Sequence, residues 1–131
     1  MKLLLDVSAL LSLGVFDHEF HDRTVNFMTN GSVTEVATCA ITELGFVRVL
    51  AQAPQYGLSV SQGRDLLRRL KNAGVLKFTF IVDDQDVTRL PSWVKTAKQV
   101  TDGHLLELAK ANGAALATLD RGIPGAILIP A

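Results

Sequence analysis

The segment Val100–Ile123, VTDGHLLELAKANGAALATLDRGI, decides how this chain folds. Thr101–Asn112 reads as a helix closed by Gly113, a residue free to take the left-handed conformation that ends helices. Ala115–Leu119 then reads as a buried strand, with Asp120 at its C-terminal end. A helix turning at once into an apolar strand is half of a βαβ unit, and the same alternation runs through the rest of the chain. Lys2–Leu5 is a short apolar run that predicts a strand ending in Asp6. Ser8–Leu13 predicts a short helix closed by Gly14, and His18–Thr29 a second helix ended by Asn30-Gly31. Val33–Cys39 carries the β-branched residues of a strand. Ile41–Gln52, followed by Pro54, and Val60–Asn72, stopped by Gly74, predict two helices. Lys77–Val82 alternates as a strand does, Asp83–Pro91 is an acidic loop, and Ala126–Ile129 is a last short strand. The expected fold is α/β: one domain over residues 1–131, with a central parallel sheet flanked by helices on both faces.

Composition agrees. The chain has 131 residues, 48% hydrophobic and 20% charged, enough for one core that buries roughly two-thirds of the unfolded surface. Lys plus Arg and Asp plus Glu are each 13, so nucleic-acid binding must rest on a local basic patch and not on a global field. The lone Cys39 excludes an internal disulfide and fits a reducing cytoplasm, where the protein is expected to reside. Met1–Leu5 opens like a signal peptide, but Asp6 interrupts it, and no apolar run reaches the ~18 residues of a membrane span.

Four carboxylates stand where folding alone would not choose them. Asp6 and Asp120 close apolar strands, and in open α/β sheets such strand ends border the ligand crevice. Asp102 shares a helical stripe with Leu106 and Ala109. Glu43 shares one with Phe46, Val47 and Leu50. Each has a structural alternative: Asp6 as a helix cap, Asp120 as a turn former or partner of Arg121, Asp102 and Glu43 as complements to helix dipoles. Together they suggest one site. Converging carboxylates repel unless cations neutralise them, and Arg48 and Arg121 are too few. Mg²⁺ or Mn²⁺, which prefer carboxylate and water oxygens, would complete a centre suited to phosphoryl chemistry.

The segments Leu3–Leu13 (LLLDVSALLSL), Ala37–Leu50 (ATCAITELGFVRVL) and Val100–Ile123 resemble, in order, the acidic motifs of the PIN domain, specifically the VapC-type toxin ribonucleases of toxin–antitoxin systems. The resemblance implies a parallel sheet with the acids at its C-terminal edge. It implies a Mg²⁺- or Mn²⁺-dependent endoribonuclease using Asp6, Glu43, Asp102 and Asp120 as metal ligands and catalytic groups. Thr118 matches a hydroxyl position near such sites. Ser8 stands where asparagine is common, and Gly103 where alanine is frequent. A cognate antitoxin, an RNA substrate and a homodimer are the implied partners. The alternatives are a non-catalytic PIN-fold module that binds RNA or protein, and a phosphoacceptor or phosphohydrolase on a doubly wound sheet.

Other clusters carry weaker readings. Arg64, Arg68, Arg69 and Lys71 crowd one helix as a solvated face or a phosphate-contacting edge. Arg48 and His104 are further candidates for substrate contact. His18 and His21 share a helical face that reads as solvated. Asp83, Asp84 and Asp86 read as a solvated loop. Trp93 reads as a packing residue or a base-stacking platform.

Overall fold

The computed structural model describes residues 1–131. Five strands form one wholly parallel sheet: β1 Lys2–Leu5, β2 Glu35–Cys39, β3 Phe78–Ile81, β4 Ala115–Thr118 and β5 Ile127–Leu128, in the order β3-β2-β1-β4-β5. Parallel neighbours need crossover connections. Up to β4 these are supplied by α1 Val7–Gly14, α2 His21–Met28, α3 Ala40–Gln52, α4 Val60–Asn72 and α5 Val100–Ala111, whereas β5 follows β4 through turns alone.

The first strand lies at the centre and feeds both faces. Leu3 and Leu5 join Ala9, Leu10, Phe46 and Leu67 in a core beneath α1, α3 and α4. Leu4 points the other way and joins Ala37, Cys39, Leu105, Leu108 and Leu116 beneath α5. Such alternation follows from the two-residue period of a strand, and because both faces are covered the strand is apolar throughout. Leu3, Leu4 and Leu5 are fully buried, each contributing about 1.5–3 kcal/mol of transfer free energy. Trp93 packs, partly buried, against the second core.

Several local expectations need correction. The second helix starts at His21, not His18. His18 donates its backbone N–H to Val15 and accepts the Phe20 N–H on Nδ1, which makes a turn. The two histidines therefore share no helical face, and His21 Nδ1 engages the Ser12 carbonyl instead. Asp83 is no solvated residue: its carboxylate is paired with His104 on α5. Gly103 has a packing reason to lack a side chain, since a Cβ there would stand 2.3 Å from Val94 Cγ2 and 3.2 Å from Pro91 Cδ.

Candidate active site

β1 is flanked by β2 on one side and β4 on the other, so the chain's winding reverses between β1 and β4. A crevice opens beyond the C-terminal ends of strands at such a reversal. Asp6 follows β1 directly, and Asp120 lies two residues past β4.

Asp6 is buried, and both of its oxygens are engaged. Oδ1 accepts the Ala9 N–H at 2.8 Å, capping α1, and the Ser8 hydroxyl at 2.7 Å. Oδ2 accepts the Thr118 hydroxyl at 2.5 Å. Ser8 Oγ in turn accepts the Leu119 N–H, and Thr118 Oγ1 accepts the Asp120 N–H. The cap reading of Asp6 thus holds, and the same carboxylate is tied to β4. One carboxylate orders the helix start, and two hydroxyls bind it to the segment that carries Asp120. Asp120 itself closes a turn, its Oδ1 accepting the Gly122 N–H at 2.7 Å, and makes no ion pair with Arg121.

Asp102 stands in the first turn of α5, half-buried and without a hydrogen bond to its carboxylate. Burial pushes its ionisation up, and the charges of Asp6 and Asp120 push it further, with Lys98 working against them. Burial likewise raises Asp6; its hydrogen bonds oppose this, and the charge of Asp120 adds to it. The three aspartates therefore share one negative field that Lys98 offsets only in part.

Glu43 is held differently. Its Oε2 accepts the Thr38 hydroxyl at 2.6 Å and the Lys71 ammonium at 2.7 Å. The cation that balances this acid comes from α4, not from Arg48 or Arg121. Lys71 was legible as part of a basic helix, but nothing in the sequence joins residues 43 and 71.

The model of the PIN domain matches residues 3–126. The chain belongs to the PIN domain family. Ribonuclease VapC44 of Mycobacterium tuberculosis is 39% identical over 129 residues, spanning 94% of this chain and 89% of that protein. Ribonuclease VapC38 of the same organism is 36% identical over 126 residues, 92% of this chain and 86% of the relative. Among solved structures, VapBC2 from Rickettsia felis bound to a promoter DNA fragment aligns with a TM-score of 0.62. It is 13% identical and covers 98% of this chain and 97% of that one, a likeness of fold.

In this PIN domain no three Asp, Glu, His or Cys side chains are gathered closely enough to cage a metal ion unaided. A caged site is not what Mg²⁺ demands, since that ion keeps several waters and takes one or two carboxylates. The donors offered are hard oxygens, and Asp102 has its oxygens free. The residues present fit such an ion.

The remaining candidates separate by position. A groove of about 730 Å³ runs between α3 and α4, with Glu43 and Leu44 on one wall and Arg64, Arg68 and Lys71 on the other. Arg69 faces away from it, its Nε donating to the Asp65 carbonyl beside Leu58 and Gln62. Arg48 is exposed on α3 outside the groove. His104 spends Nε2 on Asp83 Oδ2 at 2.5 Å, tying α5 to the chain leaving β3.

Proposed function

We propose that the protein is a Mg²⁺- or Mn²⁺-dependent endoribonuclease, the toxin of a toxin–antitoxin pair. The observation that carries this reading is the shared field of Asp6, Asp102 and Asp120, three acids from distant parts of the chain whose burial and mutual repulsion outweigh the opposing charge of Lys98. The VapC ribonucleases at 36–39% identity support RNA as substrate. The VapBC2 fold neighbour suggests a protein antitoxin as partner. A homodimer and a cytoplasmic setting belong to the same proposal.

The carboxylates of Asp6, Asp102 and Asp120, with Glu43 beside them, would hold the ion. When bound, it polarises the scissile phosphate and makes water a better nucleophile near neutral pH. The chain's own contributions follow from its contacts. Ser8 and Thr118 fix the Asp6 carboxylate, so that it does not reorient during the reaction. Asp102, free of hydrogen bonds, orients the attacking water and accepts its proton. Arg64 and Arg68 hold backbone phosphates along the groove. In-line attack leaves a 5′-phosphate and a 3′-hydroxyl.

Incubation of a defined RNA with Mg²⁺ or Mn²⁺, with chelator, and with Asp102→Asn tests the proposal. Cleavage should require the metal and fall at least about 100-fold in the variant, as expected when a metal ligand or general base is lost. Activity within about twofold of wild type in Asp102→Asn removes that residue from the mechanism.

A further inference from the structure

The same oxygen of Glu43 is held by two groups from different elements, Thr38 at the end of β2 and Lys71 near the end of α4. Thr38 is fully buried, and the Lys71–Glu43 pair is about three-quarters shielded, with side-chain exposures of 29% and 24%. The lysine ammonium also lies 5.6 Å from the Phe80 ring centre, which limits where it can swing. Both anchors converge on Oε2, so Oε1 is left without a protein partner, in a fixed direction.

We propose that Lys71 is a positioning residue for Glu43. It sets the direction of the free carboxylate oxygen and offsets that acid's charge through the close ion pair. This inference rests on the nuclease reading and deepens it: α4 governs how Glu43 is presented. The helix that lines the basic groove would then be the one that orients an acid at its end.

Lys71→Met keeps the stem and removes the ammonium; Lys71→Arg keeps the charge. Calorimetric titration of RNA-free protein with Mn²⁺ should show Lys71→Met binding about three- to tenfold tighter, because one more uncompensated carboxylate faces the ion. Turnover should move the opposite way, with kcat down about tenfold or more and KM little changed, since the loss lies in orientation. Lys71→Arg should return both within about threefold. In a Glu43→Gln background Lys71→Met should leave kcat unaltered, because the carboxylate it orients is gone.

The alternatives leave different signatures. A raised KM with unaltered Mn²⁺ affinity makes Lys71 a phosphate contact and overturns the proposal. A lower melting temperature in chelator with metal affinity and kcat both reduced makes it a structural residue, and overturns it too. If Lys71→Met does not fold, Lys71→Gln carries the same comparison. Wild type that binds Mn²⁺ yet leaves RNA intact defeats the nuclease reading and the positioning role with it, whereas wild type that cleaves RNA while Lys71→Met keeps its kcat defeats the positioning role alone.

Discussion

Asp120 illustrates how one side chain shapes both a turn and its neighbours' ionisation. Its Oδ1 closes the turn to Gly122 while its charge raises Asp6 and Asp102. Asparagine keeps the turn, because its amide oxygen accepts the same N–H, and removes the charge. In chelator, Asp120→Asn is therefore expected to melt no lower than wild type. Any gain should stay within about 0.5 kcal/mol, since Asp120 is exposed and water screens its share of the repulsion. Mn²⁺ should raise the melting temperature of wild type by binding the folded state and raise that of the variant much less. A variant that melts well below wild type in chelator would assign Asp120 to the turn alone. The site aspartates were legible because each sits at a strand end or on a core-facing helical stripe. The hydroxyl network through Ser8 and Thr118 was legible only through the family resemblance, since it joins positions far apart in the chain.

Among the elements, α4 and α5 carry the sharpest tests. Arg64, Arg68 and Lys71 follow one another at four and three residues and face the groove, while Arg69 turns toward Leu58. The sequence grouped Arg69 with the others because charge density along a helix does not reveal which side is covered. Arg68→Ala should weaken RNA binding and reduce the slope of log K against log salt by about 0.7, the share of one single-strand phosphate. Arg69→Ala should leave both unchanged, as filter binding across a salt series will show. Arg68's exposed pair with Asp65, at 3.4 Å, contributes too little to mask the effect.

The pair between Asp83 and His104 is the other element-level contact that the sequence did not disclose, because it spans 21 residues and two elements. Burial acts to raise Asp83, but hydrogen bonds from His104 and the Gln85 N–H outweigh it and hold the carboxyl below its ordinary 3.8. A lowered ionisation stabilises the fold fully above the ordinary value and ceases to do so as the pH falls through the lowered one. Asp83→Asn should therefore lower the urea midpoint at neutral pH, by about 1 kcal/mol for a charge-assisted hydrogen bond near the surface. The gap between the proteins should close as the pH drops below about 4. A gap of constant size down to pH 3 would show that the carboxylate's charge plays no part.

At the scale of the whole molecule, the α/β class and the parallel sheet were legible from the alternation of short apolar runs with longer helical ones. The helix boundaries at His18 and Ala97 were not. Turns built from a side chain, as at His18, or a 3₁₀ turn entering α5, as at Ala97–Gln99, replace regular periodicity with local hydrogen bonding. Strand order was equally hidden, because pairing of β1 with both β2 and β4 is a long-range choice.

That central placement of β1 has a consequence for synthesis. Of the five strands β1 is made before the others, and it waits with one side unpaired for β4. Until Ala115–Thr118 has emerged, Asp6 has no hydroxyl from Thr118 to hold it and no Asp120 across the crevice. A chain stopped before that point carries Asp6 and Asp102 without the strand that sets Asp120 beside them. On the nuclease reading proposed above, an unfinished copy would lack the acid cluster it needs to cut RNA.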